Sequence, residues 1–132
     1  MDAATKALVR SRAGGRCEYC QLHEDDDPPF TFQIEHVVPR QHGGPDHPDN
    51  LALACPHCNR HKGTNLAGID PFDGRPALLF HPRLQRWEDH FAARGPLIMG
   101  QTPTGRATVR VLNMNTRKRI ALRAAVASDD GS

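Results

Sequence analysis

Two sets of residues in this sequence are of types and spacing that can do chemistry. The first is four cysteines in two Cys-x-x-Cys pairs, Cys17 with Cys20 and Cys55 with Cys58, with none left over. Zinc takes four tetrahedral ligands, and thiolates at this close spacing supply them without strain. An all-thiolate tetrahedron has no open position, so the ion it holds is structural. It would clamp the N-terminal pair to the segment that starts at Pro56. Two disulfides or a redox dithiol form the competing reading, but a redox Cys-x-x-Cys normally sits in a βαβ pattern, which this chain lacks. The second set is Glu35-His36, Asn50 and Asn59-Arg60-His61-Lys62. Phosphodiester hydrolysis needs a nucleophilic water, a base to deprotonate it and positive charge on the leaving oxygen. A neutral imidazole serves as a base near neutral pH, and a carboxylate with an amide oxygen makes a hard ligand set for Mg²⁺ or Mn²⁺.

Both sets need elements to position them. Residues 2–12 have helical composition, with Ala4, Ala7 and Leu8 spaced for one face and Gly14-Gly15 ending the segment. Residues 23–29 are polar, proline-terminated loop. Phe30 to Val38 is rich in β-branched and aromatic residues and predicts a strand closed by Pro39. Residues 39–50 are loop, with Gly43-Gly44 as its turn. Leu51–Ala54 predicts a second strand able to pair with the first. Pro56 suits the first position of a helix, which should run to about Gly63 or Leu66. The result is a ββα unit, in which the strand end at His36 and the helical turn at Asn59 face each other across a groove. Alternation along a strand sends Glu35 and His36 to opposite faces, so both reach the groove only through a local bend.

The pattern Cys17-x-x-Cys20, Ile34-Glu35-His36, Gly43-Gly44, Asn50-Leu51, Cys55-x-x-Cys58-Asn59-x-x-Lys62-Gly63 strongly resembles the HNH endonuclease family over residues 14–66. The resemblance implies the ββα-metal fold of that family. It implies that His36 is the general base activating water, and that Asn50 hydrogen-bonds within the loop to fix the hairpin and the histidine. It also implies that Asn59 helps hold a catalytic Mg²⁺ and that Lys62 contacts phosphate. Two positions depart from the pattern. The residue before the histidine is frequently Asp in the family and is Glu35 here. The third motif position is Asn59 rather than His, which favours a hard metal over zinc. Glu35 is expected to ligate the catalytic ion, with orienting His36 or pairing with an arginine as its other readings. His61 is a phosphate contact or plain helix surface. Downstream, Phe80-His-Pro-Arg83, Trp87, His90-Phe91 and Thr102-Pro-Thr-Gly-Arg106 resemble parts of small stand-alone bacterial or phage HNH proteins.

Composition bounds the rest. A chain of 132 residues suits one domain with a modest core, and with 38% hydrophobic and 5% aromatic residues that core is thin. So small a core calls for a staple, which a structural metal supplies. The expected organisation is one HNH nuclease domain over 1–132, with its core at about 14–66 and a C-terminal extension at about 71–128. In that extension 71–76 is a turn, and Ala77–Phe80 and Leu97–Met99 are short strands. Thr104 caps a helix through Leu112, and Asn115 or Thr116 caps another through Ala127. Trp87 and Phe91 share a face and cover the zinc-bound core, whether in a helix or a strand. The last few residues look disordered.

The net charge is +2, but Arg106, Arg110, Arg117, Lys118, Arg119 and Arg123 lie in a stretch without acids. Packed helices would project these arginines outward, where Arg117, Lys118 and Arg119 could meet nucleic-acid phosphates; a solvated helix face explains the charges equally well. No run spans a membrane, and MDAATKALVRSR lacks the apolar stretch of a secretory signal, so the expected location is cytoplasmic. The fold class is thus α+β, a zinc-stapled ββα-metal core with a mainly helical C-terminal extension. The expected function is metal-dependent hydrolysis of DNA, by nicking, with RNA left open as substrate. A non-catalytic zinc-ribbon module that binds nucleic acid is the alternative. Nothing in the sequence speaks to oligomeric state.

Overall fold

The computed structural model describes residues 1–29 and 31–130. Phe30, the expected first residue of a strand, and the chain end at 131–132, expected to be disordered, lie outside the described residues. Helix α1 spans Ala3–Ala13. The Asp2 side chain caps it by accepting from Thr5 N at 2.7 Å, and Gly14, at φ 63°, closes it in the left-handed conformation. Arg10 and Arg12 tie α1 to the segment between residues 32 and 51. Arg10 donates to Phe32 O at 2.7 Å, and Arg12 to Pro48 O at 2.7 Å and Leu51 O at 2.5 Å.

The ββα unit is present. Strand β1, Gln33–His36, pairs antiparallel with β2, Leu51–Ala54, in the register Gln33 to Ala54 and His36 to Leu51. Helix α2 runs from Pro56 to Lys62, with the Cys55 side chain at its cap, Pro56 in its first turn and Gly63 ending it. β1 is shorter than the strand expected over 30–38, because Val38 leaves the ladder. Its N–H donates to Asn50 Oδ1 at 2.8 Å and its carbonyl accepts from Asn50 Nδ2 at 2.9 Å, so one side chain takes the place of a strand partner. α2 likewise stops at the near end of its expected range, where Gly63 N returns to Asn59 O.

Two small hairpins separate this unit from the last helices. β3, Ala67–Ile69, pairs with β4, Pro76–Leu78, around the expected turn. β4 ends before Phe80, whose N–H donates instead to Thr108 Oγ1 at 2.9 Å. A four-residue helix α3, Trp87–His90, leads into β5, Phe91–Arg94, which pairs with β6, Leu97–Gly100. Trp87 and Phe91 therefore belong to a helix and a strand in succession, and their rings stack with centroids 5.1 Å apart. Helix α4 spans Pro103–Val111 with Thr102 as its cap, two residues before the expected Thr104. Helix α5 spans Arg117–Asp130, with Thr116 Oγ1 accepting from Arg119 N at 3.1 Å. No helix among the described residues is long and apolar enough to cross a membrane.

The core runs from the cysteines into the C-terminal part. Tyr19 meets Phe80 edge-on, Phe80 meets Phe91 the same way, and Trp87 Nε1 donates to Tyr19 O at 2.7 Å. These aromatics thicken a core that α1 and the ββα unit cannot build alone. The arginines expected to face outward divide into two groups. Arg106 makes a two-pronged pair with buried Asp70 at 2.8 and 2.9 Å. Arg123 donates to Pro96 O and Asn115 Oδ1, and Arg119 pairs with Asp27. Arg106 and Arg119 bind α4 and α5 to earlier parts of the chain, and Arg123 ties α5 to its own neighbours Pro96 and Asn115; Arg110, Arg117 and Lys118 are exposed.

Candidate metal centre and candidate active site

The four cysteines converge. Their sulfurs all lie within 4.8 Å of one another, Cys20 Sγ is 3.9 Å from Cys55 Sγ, and all four side chains are buried and free of disulfides. A tetrahedron with zinc–sulfur bonds of about 2.3 Å has sulfurs about 3.8 Å apart, close to the spacing found. Each pair forms a turn in which the second cysteine's N–H donates to the first one's sulfur, Cys20 N to Cys17 Sγ and Cys58 N to Cys55 Sγ. Burial pushes the Cys17 thiol up, and hydrogen bonds with the other three cysteines push Cys58 up and hold Cys20 well down. Four crowded thiols cannot all ionise unaided; a divalent cation among them makes that possible. Arg119 Nη2 lies 3.4 Å from Cys55 Sγ. Burial opposes its charge, but Cys55, Cys20 and Asp27 outweigh burial and keep the guanidinium firmly protonated.

His36, at the end of β1, and Asn59, in the middle of α2, line one open groove of about 530 Å³ with Pro39, Arg40, Gln41 and Thr64. Asn59 Nδ2 donates to Gln33 Oε1, and Asn59 Oδ1 accepts no hydrogen bond from the described residues. A residue lining the groove thus carries a hard oxygen that no described residue engages. His36 Nε2 is 2.6 Å from Asp46 Oδ1, and Arg40 brackets the same carboxylate through Nε and Nη2. His36 and then Arg40 hold the Asp46 carboxyl below its ordinary range. Asn50 Nδ2 also donates to Pro45 O at 3.0 Å, so that one side chain bonds both Val38 and Pro45. Gly44 fits beneath this arrangement only because it lacks a side chain: a Cβ there would sit 1.7 Å from Val38 O.

Glu35 and Lys62 are placed differently from the sequence expectation. Glu35 borders the groove but is buried, with Oε2 3.2 Å from Lys62 Nζ and Oε1 accepting from the Tyr19 hydroxyl. Both carboxylate oxygens are thus engaged by protein donors. Burial raises the Glu35 carboxyl, and Lys62 and Tyr19 oppose that rise. Lys62, expected on phosphate, is only 1% exposed and donates to Val37 O at 2.9 Å and His36 O at 3.4 Å. The reason is local. Its long stem lies along the apolar interior, and three acceptors enclose its ammonium. Tyr19 sits between two of the cysteines, so the metal centre connects through Tyr19, Glu35 and Lys62 to the backbone carbonyl of His36.

A comparison with protein families matches this stretch to the model described as HNH endonuclease. Residues 17–65 are an HNH match. Over 121 residues the chain is also 23% identical to the Septu protein PtuB of Bacillus thuringiensis, covering 87% of this chain and 42% of that protein. The chain thus spans less than half the length of that relative. The family match indicates a nuclease-type or other nucleic-acid-related role for the matched segment.

The HNH segment contributes one wall of a second groove. His57, Arg60 and His61 of α2 face Arg117, Lys118 and Leu122 of α5 across a space of about 600 Å³. The rings of His57 and His61 are 4.3 Å apart, and burial holds His57 below the ordinary imidazole range. Arg60, Arg117 and Lys118 bring positive charge to the groove. Arg119, expected beside them on nucleic acid, is engaged by Asp27 and Cys55 instead. Sequence reasoning missed Tyr19, Gln33, Arg40 and Asp46. Tyr19 carried a signal, lying between two ligands. Asp46 carried none that separates it from Asp49 in the same loop.

Proposed function

We propose that the protein is a metal-dependent endonuclease that hydrolyses DNA phosphodiester bonds by nicking, with zinc structural at Cys17, Cys20, Cys55 and Cys58. The observation that carries this reading is that His36 and the free carbonyl oxygen of Asn59 share one open groove on a ββα unit anchored by four cysteines. His36 accepts the proton of the attacking water. Asn50 holds the loop that places it, and Lys62, charged and neutralised by Glu35, fixes the backbone at His36 from behind. Asn59 Oδ1 would hold Mg²⁺ or Mn²⁺, with water and phosphate oxygens completing the shell. When bound, that ion neutralises charge on the phosphate and the leaving oxygen. Glu35 is assigned to Lys62 rather than to the ion, because both of its oxygens already have donors. Arg60, Arg117, Lys118 and His61 contact backbone phosphates along the second groove, a mode that adds affinity without sequence readout. Four reduced thiols suit the cytoplasm, and one domain over 1–132 suits a core that extends from Val9 to Met114.

The test is supercoiled plasmid incubated with Mg²⁺ or Mn²⁺, beside an EDTA control and variants. The parent nicks the plasmid. His36→Ala loses about 10²–10⁴-fold in rate with zinc content and DNA affinity kept, as expected for loss of a positioned base. Asn59→Ala also loses activity, and more Mg²⁺ or Mn²⁺ restores part of it, whereas no ion rescues His36→Ala. A parent that binds DNA but never cuts it would make this a zinc-ribbon binding module instead.

A further inference from the structure

We propose that Asp46 is the positioning residue of His36, fixing which ring nitrogen carries the proton; this role rests on the nuclease reading above. The contact is short, 2.6 Å from His36 Nε2 to Asp46 Oδ1, and it joins the end of β1 to the far side of the following loop. Three features hold the carboxylate there. Asn50 Nδ2 bonds Val38 O, two residues past His36, and Pro45 O, the residue before Asp46, so one amide sets both ends of the contact. Gly44 presses on Val38 O where no other residue fits, which brings the loop back close enough. Arg40 then donates to both oxygens of Asp46, at 3.0 and 3.2 Å.

The donors present decide where the shared hydrogen sits. An ionised carboxylate between an imidazole and a guanidinium can only accept, so that hydrogen belongs to His36 Nε2. A neutral ring protonated at Nε2 has its lone pair on Nδ1, and that nitrogen becomes the proton acceptor. Without Asp46 the neutral ring distributes its proton over both nitrogens and turns freely, so only part of the population presents a base in the right place. A buried carboxylate that orients a catalytic histidine is worth up to about 10⁴-fold in rate. The Asp46 side chain is 50% exposed, so water competes for the contact and the effect here is smaller, about 10–100-fold.

The experiment uses the full chain with Asp46→Ala, Asp46→Asn and Asp46→Glu, each checked for zinc content and thermal unfolding. In plasmid nicking, kcat falls about 10–100-fold for Ala and Asn while KM stays within about twofold, and Glu recovers part of the loss. Long-range ¹⁵N NMR of the His36 ring, on protein without DNA, shows the Nε2–H tautomer in the parent and a mixture in Asp46→Ala. A change in KM alone, or a parent-like tautomer in Asp46→Ala, overturns the proposal. So does Asp46→Ala turning over as fast as the parent. If Asp46→Ala unfolds, the NMR of Asp46→Asn decides. The two readings fail separately: a parent that never cuts overturns the nuclease reading, while a parent that cuts and an Asp46→Ala equal to it overturn only the role of Asp46.

Discussion

Lys62 shows how a residue type can be identified correctly and its use mistaken. A lysine at the helix end opposite a histidine invites a phosphate, yet its ammonium lies among Glu35 Oε2, Val37 O and His36 O at 1% exposure. A charge so deeply placed persists only when paired, and removing one partner leaves the other stranded. Lys62→Met should therefore cost about 3–5 kcal/mol in urea unfolding. The double variant Lys62→Met with Glu35→Gln should recover most of that, since no charge is left without a partner. A single variant as stable as the parent would show that the pair contributes nothing. At this scale types and spacing are legible in the chain, but the direction of a side chain is not. His36, Asn50 and Asn59 could be placed because a ββα unit brings a strand end to a helix face. Glu35 could not, because its fate depends on Tyr19, a residue sixteen positions away across the core.

Elements were most legible where apolar runs meet clear stop signals. Leu51–Ala54 between a proline-rich loop and Cys55 is the clearest case, and β2 has those bounds. They were least legible where a side chain replaces a backbone partner, as Asn50 does for Val38 and Thr108 for Phe80. The inward arginines of α4 and α5 were unreadable for a related reason. Nothing in an arginine's neighbours in sequence reveals that an acid waits for it far along the chain. Asp70 and Arg106 are such a pair, joining the turn after β3 to α4. Arg106 holds the Asp70 carboxyl below its ordinary range. A carboxyl that gives up its proton more readily when folded adds stability above its unfolded pKa, about 3.9, and loses it as pH falls through the lower folded value. Asp70→Asn should accordingly lower the unfolding temperature at pH 7, with the gap to the parent closing below about pH 4. A gap constant from pH 7 to pH 3 would show that this ionisation does not contribute.

For the molecule as a whole, an ion held by the four cysteines should decide whether the chain folds at all. Structural zinc in small domains binds with about 10–16 kcal/mol of apparent free energy, as much as the entire stability of an ordinary domain, about 5–15 kcal/mol. Cys58→Ser should lose both zinc and the cooperative unfolding transition, as should the parent under a strong chelator, read by elemental analysis and circular dichroism. A Cys58→Ser protein that keeps its near-ultraviolet signal would show that the aromatic core stands without the ion. The link from Cys55 through Arg119 to Asp27 bears on the order in which the chain assembles. Synthesis proceeds from the N-terminus, so all four cysteines, both strands of the first hairpin and Lys62 exist before any residue of α4 or α5 has been made. The four cysteines can gather before α5 exists, and α5 arrives last as a latch on a finished centre. Damage to Arg119 would then be a fault of closing, leaving the ββα unit already built, whereas damage to a cysteine would stop assembly at its first step.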